Sequence, residues 1–154
     1  MKIKATGSSN KITPFLWFDG QAAAAAKFYT SVFKRAKILS VSPMMATFQL
    51  EGQKFMALNG GPHFKFNEAV SFFVECKDQR EVDYFWKKLT SGGGQESQCG
   101  WLKDKFGLSW QIIPAALMEL MGDDDEAKSG RVMQAMLKMR KIIVADLKRA
   151  HAGR

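Results

Sequence analysis

The chain has 154 residues, of which 46% are hydrophobic and 25% are charged, and its formal net charge is +8. This composition is typical of one globular domain, or of two small halves that share a core, and argues against a disordered chain. No apolar run approaches the roughly 20 residues of a membrane-spanning helix, and residues 1–11 lack the apolar segment of a secretory signal. We therefore expect no membrane segment and a flexible, basic N-terminus over residues 1–11.

The two cysteines, Cys76 and Cys99, belong to no CxxC motif and to no Cys/His cluster. This pattern argues against a disulfide framework and against a zinc site of the usual spacing. Two free thiols are typical of a reducing compartment. The sequence therefore favours a cytoplasmic protein, and nothing in it calls for a cofactor.

The positive charge is concentrated at the two ends of the chain. Residues 128–154 hold eight Lys or Arg and one acid, and residues 1–11 hold three lysines and no acid. A basic tail binds polyanions without sequence preference, but such charges are also common on the solvated face of a helix. One hypothesis is thus an interaction module whose tail binds nucleic acid or an acidic partner.

The first half of the chain is predicted to contain one helix and four strands. An alanine run favours the helix, and turn residues separate the strands. The predicted elements are a strand at 12–18, a helix at 21–34 and strands at 37–42, 45–51 and 54–58.

The second half repeats this order and adds helices at its end. Asp78 is a plausible N-cap, and Glu81 three residues later completes a pattern that resembles a capping box. The predicted elements are a strand at 68–75, a helix at 78–89, a hairpin of 98–103 with 108–113, and helices at 115–121, 127–140 and 142–150.

The repeat is visible in the sequence itself. Residues 15–33 (FLWFDGQAAAAAKFYTSVF) are echoed roughly 56 residues later by residues 71–89 (SFFVECKDQREVDYFWKKL), and a fixed period indicates a duplicated fold. We predict an α+β protein in which two tandem βαβββ modules, 12–58 and 68–114, form one curled mixed sheet of eight strands with a concave cleft. Residues 115–154 would form a C-terminal helical extension to this domain of residues 12–114.

Four strings carry a resemblance to a known family: ITPFLWFDGQA, FMALNGGPHFKFNEAVSF, CGWLKDKFGLSWQIIP and RVMQAML. They resemble the PhnB-like branch of the glyoxalase/bleomycin-resistance/dioxygenase (vicinal oxygen chelate) superfamily, whose members are often labelled 3-demethylubiquinone-9 3-methyltransferase-like. The resemblance implies the paired βαβββ fold and a homodimer. The methyltransferase label itself has no support in the residues, because no Gly-rich loop joins a first strand to a helix as in Rossmann-like SAM enzymes.

Metal-dependent members of this superfamily hold an ion with four His or Glu side chains. The resemblance, extended by the repeat, places the corresponding positions at Pro14, Met56, Val70 and Gln111. None of these residues is a His or a carboxylate. Because divalent transition metals need roughly three or four protein ligands, we expect no metal site of the superfamily type.

Strand alternation then predicts which side chains line the cleft. The predicted cleft residues are Leu16, Phe18, Met56, Leu58, Phe72, Val74, Ser109, Gln111 and Ile113, with Trp101 on the neighbouring hairpin. The opposite face, expected to pack beneath the helices, carries Phe15, Trp17, Phe55, Phe73, Trp110 and Ile112. A largely apolar cleft with few polar groups is typical of a small-molecule site.

Three functions remain open at this stage. The leading hypothesis is a metal-independent, dimeric protein that binds a small apolar or aromatic molecule in the cleft. The second is an enzyme, of the isomerase or lyase type, that uses Gln111, Asn59 and His63, with Glu68 as a further candidate base. The third is the interaction module with a basic tail. No Ser/His/Asp or Cys/His constellation decides between binding and turnover.

Overall fold

A computed structural model describes residues 10–154, which group into two compact units. The first unit ends at Lys65, and the second spans Phe66–Arg154 and includes the C-terminal helices. The predicted flexible N-terminus, residues 1–11, falls almost entirely outside the described residues. The predicted bounds of the modules and of the extension remain predictions.

The first unit follows the predicted order of strand, helix and three strands. Its elements are β1 (Phe15–Phe18), α1 (Ala22–Val32), β2 (Lys37–Val41), β3 (Met45–Leu50) and β4 (Gln53–Asn59). They form a mixed sheet in the order β1-β4-β3-β2, in which β1 is parallel to β4 and the other neighbours are antiparallel.

Helix α1 packs on one face of this sheet because its own buried face is built from small residues. Ala25 and Ala26 are fully buried, and they allow the helix to lie close to the strands. On β3 every second side chain is buried, among them Phe48. The Phe48 ring stacks on Phe55 at 5.4 Å and lies 6.0 Å from the ring of Tyr29. The apolar core of the first unit therefore lies between α1 and one face of the sheet.

The second unit repeats the arrangement and then adds three helices. Its elements are β5 (Ser71–Cys76), α2 (Gln79–Thr90), β6 (Gln95–Glu96), β7 (Trp101–Lys103), β8 (Ser109–Pro114), α3 (Ala115–Met121), α4 (Glu126–Leu137) and α5 (Val144–His151). The sheet order is β5-β8-β7-β6, with β5 parallel to β8. This order is equivalent to that of the first unit and confirms the duplication.

The strands form two four-stranded sheets and not the single eight-stranded sheet predicted from the sequence. In each sheet the first strand of the module, β1 or β5, lies at an edge and pairs with the last strand of its own module. The strand expected from residue 68 begins at Ser71, and the two-residue strand β6 was not predicted. The α+β class and the two βαβββ modules are confirmed.

The start of α2 confirms Asp78 as its cap. Asp78 Oδ1 accepts a hydrogen bond of 3.0 Å from the backbone N–H of Glu81. The Glu81 carboxylate accepts from Lys77 N, one residue before the cap, at 2.8 Å. The motif thus differs from a standard capping box, in which the cap's own N–H is the donor.

The C-terminal helices close a second apolar core in this unit. Its buried members are Ile113, Leu117, Val132, Ile142 and Leu147. The segment before α5 is fixed to the module through its backbone, since Cys99 N and Gly100 N donate to the carbonyls of Met139 and Arg140, each at 2.8 Å. None of the helices in the described part of the chain is long and apolar enough to cross a membrane.

Candidate functional site

Gln111 lies at the centre of a row of aromatic side chains on the second sheet. Its partners in the strand register are Phe73 on β5 and Trp101 on β7. Cross-strand partners share a face of the sheet, so the three side chains lie side by side. Phe73 is 51% exposed, and Gln111 and Trp101 are half-buried. We call these three residues the aromatic row.

A second, polar row lies two residues earlier on β8. Ser109 pairs with Ser71 on one side and with Lys103 on the other. Residues two apart on a strand point to the same face, so the polar row and the aromatic row share one face. Gln111 Nε2 donates a hydrogen bond of 2.9 Å to Ser71 Oγ, which links the rows and fixes the amide. We call this surface the open face of the second sheet.

Ser109 is buried without a partner for its hydroxyl group. The residue is 1% exposed. Among the described side chains, its Oγ is the one buried nitrogen or oxygen atom without a hydrogen-bond partner. An unsatisfied buried hydroxyl costs about 1–3 kcal/mol. A polar group that reached Ser109 would recover part of this cost.

Lys103 ends the polar row in an ion pair with Glu68. The Lys103 side chain is half-buried, whereas the Glu68 side chain is largely exposed. The hydrogen bond from Lys103 is the largest cause that lowers the pKa of the Glu68 carboxyl group, followed by a hydrogen bond from the backbone N–H of Glu68 itself and by the charge of Lys103. Ion pairs with a largely exposed partner are weak, so this pair contributes little to stability.

The turn between β7 and β8 fixes the position of both rows. Asp104 is buried, and its Oδ1 accepts from the backbone N–H groups of Phe106 and Leu108 at 2.8 and 3.1 Å. Its Oδ2 accepts from Trp110 Nε1 at 2.9 Å. Trp110 lies on the other face of β8, where it is buried together with Ile112. These bonds hold the hairpin in the register that aligns Lys103 with Ser109.

The C-terminal helices cover one end of the open face. Ile113 lies two residues beyond Gln111 and was predicted to line the cleft, but it is buried in the core that α3, α4 and α5 complete. The accessible part of β8 on this face therefore ends at the aromatic row.

The predicted cleft face is wrong for the first strand of each module. Leu16 and Phe18 are 6% and 3% exposed, and Leu16 pairs with the fully buried Ala57, so they lie beneath α1. Phe72 pairs with Trp110, at a ring distance of 5.5 Å, and therefore lies on the helix side of its sheet. Val74 pairs with Ile112 on that same side.

The cause is the starting point of the alternation, which is one residue too early in the first module and three too early in the second, an odd number in both. The predicted alternation of side chains starts from Pro14 and Val70, which precede β1 and β5. The register instead places Phe15 beside Met56 and Phe73 beside Gln111. A shift of one residue moves every side chain of a strand to the other face. Phe15, Trp17 and Phe73, which were expected under the helices, lie on the open faces.

The first sheet has an open face of its own. Met56 and Leu58 lie there with their cross-strand partners Phe15 and Trp17, opposite the buried Phe55 and Ala57. Phe15 is 52% exposed. Trp17 is held by a hydrogen bond of 2.8 Å from its Nε1 to Gly61 O. The face predicted for Met56 and Leu58 agrees with this register, and their role in binding remains a prediction.

Two of the predicted polar candidates, Asn59 and His63, belong to the first unit. The side chain of Asn59 caps α1, since its Oδ1 accepts from Ala22 N at 2.8 Å and its Nδ2 donates to Pro43 O at 2.9 Å. His63 is exposed on the loop after β4. The sequence carries no local signal for this cap, because Ala22 and Asn59 lie 37 positions apart.

The positions equivalent to metal ligands do not fit a metal ion. With the register corrected, they hold Phe15, Met56, Phe73 and Gln111, none of which is a usual ligand. Within residues 10–154, no group of three or more His, Cys, Asp or Glu side chains is placed to hold an ion. Metal independence remains a prediction.

The two thiols are not placed for catalysis. Cys76 is fully buried, and burial, followed by the charges of Glu81, Asp78 and Glu75, raises the pKa of its thiol to about 12. A thiol with so high a pKa is a poor nucleophile at neutral pH.

Much of the basic tail is engaged within the second unit. Lys141 Nζ pairs with Asp83 at 2.8 Å, Arg140 lies 3.9 Å from Glu96, and Arg149 pairs with Asp146. Arg131 donates to the carbonyl groups at the end of α5, at 2.8 and 2.7 Å. These cations attach the tail to its own unit, which weakens the case for a surface that collects polyanions.

Comparison with known proteins identifies the family. The family model described as 3-demethylubiquinone-9 3-methyltransferase matches residues 10–113. A PhnB protein of Bacillus cereus is 36% identical, covers 69% of this chain and 100% of its own, and superposes with a TM-score of 0.64. None of the curated proteins matches the chain.

More distant structures share the fold alone. Protein PA1353 of Pseudomonas aeruginosa is 19% identical over 69% of this chain and 98% of its own, with a TM-score of 0.56. The fosfomycin resistance protein FosX of Listeria monocytogenes, solved with Mn(II) and sulfate, is 13% identical over 68% of this chain and 88% of its own, with a TM-score of 0.52. The chain therefore belongs to the PhnB-like family that carries the 3-demethylubiquinone-9 3-methyltransferase name.

Proposed function

We propose that this protein binds a small, largely apolar or aromatic molecule on the open face of the second sheet, without a metal ion. The aromatic row carries the proposal. Phe73 and Trp101 flank the side-chain amide of Gln111. The hydrogen bond from this amide to Ser71 fixes its orientation. Small-molecule sites typically combine apolar walls with a few oriented polar groups. Ser109, which was predicted to bind the ligand, adds an unpaired hydroxyl one row away.

The open face of the first sheet is a further candidate surface. Met56 and Leu58 retain the binding role that was predicted for them, and Phe15 and Trp17 replace Leu16 and Phe18. This face is purely apolar at these four positions. We therefore assign the orienting hydrogen bonds to the second sheet.

The enzymatic alternative has less support. It uses Asn59, whose side chain caps α1, and His63, which is exposed on the loop after β4. Its further candidate Glu68 is paired with Lys103. The nucleic-acid alternative is weakened in the same way, because Arg131, Lys141 and Arg149 contact groups of their own unit. Binding without assigned turnover is thus the function that the geometry supports best.

A thermal-shift screen against small aromatic molecules tests the proposal, because a ligand that binds the folded state raises its melting temperature. Phe73→Ser should weaken binding of a hit by roughly two- to tenfold, as expected for the loss of one aromatic contact. Leu137→Ser is the matched control, since Leu137 is also 51% exposed and lies on α4 of the same unit. An equal effect of both substitutions, or the absence of any saturable hit, would contradict the proposal.

We also propose that the protein is a cytoplasmic homodimer. The family resemblance supports the dimer, as does β2, an edge strand that exposes Ile38, Leu39 and Val41. The free state of Cys76 and Cys99 supports the compartment. Light scattering should give twice the chain mass, and Leu39→Lys should halve it. A monomeric wild-type protein would contradict the dimer, and fractionation of cells tests the compartment.

A further inference from the structure

We propose that the molecule bound on the open face carries a carboxylate, which replaces Glu68 on Lys103 while its aromatic part lies against Phe73 and Trp101. This inference rests on the proposed function, because it names the class of molecule that the same face accepts. The ligand class is thus an aromatic carboxylic acid.

The spacing of the two rows fits such a molecule. Residues two apart on a strand lie about 6.8 Å from each other, and neighbouring strands about 4.8 Å. Lys103 is therefore one row from Trp101, and Ser109 is one row from Gln111. An aromatic ring on the aromatic row leaves a carboxylate attached to it within reach of the Lys103 ammonium group.

The resident ion pair shows what Lys103 binds. The carboxylate of Glu68 already pairs with the Lys103 ammonium group, and Lys103 lowers the pKa of this carboxyl group. Glu68 precedes β5 and its side chain is 63% exposed, whereas the Lys103 side chain is 34% exposed. A mostly exposed partner contributes little stability. A ligand carboxylate that is held from the other end by aromatic contacts can therefore replace it.

Ser109 lies beside Lys103 on the adjacent strand, and its buried hydroxyl has no hydrogen-bond partner. Because Ser109 is only 1% exposed, the ammonium group of Lys103 is the donor of this pair that a ligand carboxylate can reach. Hydrogen bonds to a charged acceptor are stronger than those to a neutral one, so the site should favour an acid over its amide.

Calorimetric titration of the full chain with 2-naphthoate and its neutral analogue 2-naphthamide tests this inference. The wild-type protein should bind 2-naphthoate about fivefold more tightly, which is the upper range for a partly exposed charge pair. Lys103→Met should weaken binding of 2-naphthoate more than that of 2-naphthamide and so remove this preference. Glu68→Gln should strengthen binding of 2-naphthoate alone, because it removes the competing carboxylate.

Lys105→Met is the control, since Lys105 lies in the β7–β8 turn, outside both rows, and its loss should leave the preference intact. Equal binding of the two probes would overturn the inference while the proposed function stands. Weaker binding of 2-naphthoate by Glu68→Gln would overturn the exchange of partners. If neither probe binds, both this inference and the proposed function fail.

Discussion

At the scale of single residues, two glycines with the same backbone conformation differ in their surroundings. Gly100 and Gly107 have φ angles of +83° and +85°. A Cβ on Gly100 would lie 2.8 Å from Ile113 Cδ1 and 3.1 Å from Ile142 Cγ1. A Cβ on Gly107 would meet nothing within 4 Å. Gly100 is thus required both by its backbone and by the C-terminal core.

Alanine at each of these positions separates the two requirements. Gly107→Ala should cost about 1–2 kcal/mol through the left-handed backbone alone, and Gly100→Ala should cost about 1–3 kcal/mol more through overpacking. Urea unfolding of both variants measures the difference. Equal losses of stability would show that the chain at Gly100 has room for a side chain.

A second residue-scale prediction concerns Asp123. The pKa of its carboxyl group is lowered first by a hydrogen bond from the backbone of Asp125 and then by His151, whose Nε2 lies 2.7 Å from Asp123 Oδ2. A carboxyl group with a lowered pKa in the folded state contributes stability above its unfolded pKa, and this contribution is lost as the pH falls through the folded pKa.

Asp123→Asn should therefore be less stable than the wild-type protein at pH 7, and the two should converge in acid below the reference pKa of 3.8. Urea unfolding at several pH values between neutral and strongly acidic measures this. Asp124→Asn, one residue away, is the control and should follow the wild-type curve. A difference that persists unchanged in acid would contradict the assignment to this carboxyl group.

At the scale of elements, the C-terminal helices are part of the second unit's core. Leu147 on α5 is fully buried beside Val132 of α4, whereas Leu137 of α4 is half exposed. Leu147→Ala should lower the free energy of unfolding by about 2–5 kcal/mol, as for other buried leucines. Leu137→Ala should lower it far less. Similar losses in the two variants, measured by urea unfolding, would contradict this packing.

The sequence was sufficient to predict the order of the elements and all of them except β6, because helix formers, turn residues and the repeat agree. It was not sufficient to predict which face of β1 and β5 is open. Alternation shows only which side chains of a strand share a face. Which of the two faces is open depends on whether Phe15 or Leu16 pairs with Met56 on β4. Asn59 illustrates a second limit, since its capping bond to Ala22 joins residues that only the fold brings together.

At the scale of the whole molecule, contacts within the chain account for the positive charge of the tail. The cations of the tail, such as Lys141 and Arg149, pair with carboxylates of the second unit, so the basic pI does not by itself indicate a polyanion partner.

The duplication has kept two sheets with one strand order. In both, aromatic residues on the first strand, Phe15 and Phe73, stand beside Met56 and Gln111 on the last. The two modules thus place an aromatic residue of the first strand beside the last strand in the same way.

We propose that the ligand lies on the open face of the second sheet. Nuclear magnetic resonance of the isotope-labelled chain, titrated with 2-naphthoate, tests it most directly. Saturable shifts should centre on Phe73, Gln111 and the indole N–H of Trp101, while the indole N–H of Trp110 on the opposite face should move little. Shifts centred on Phe72 and Trp110, or no saturable shift at all, would contradict the account.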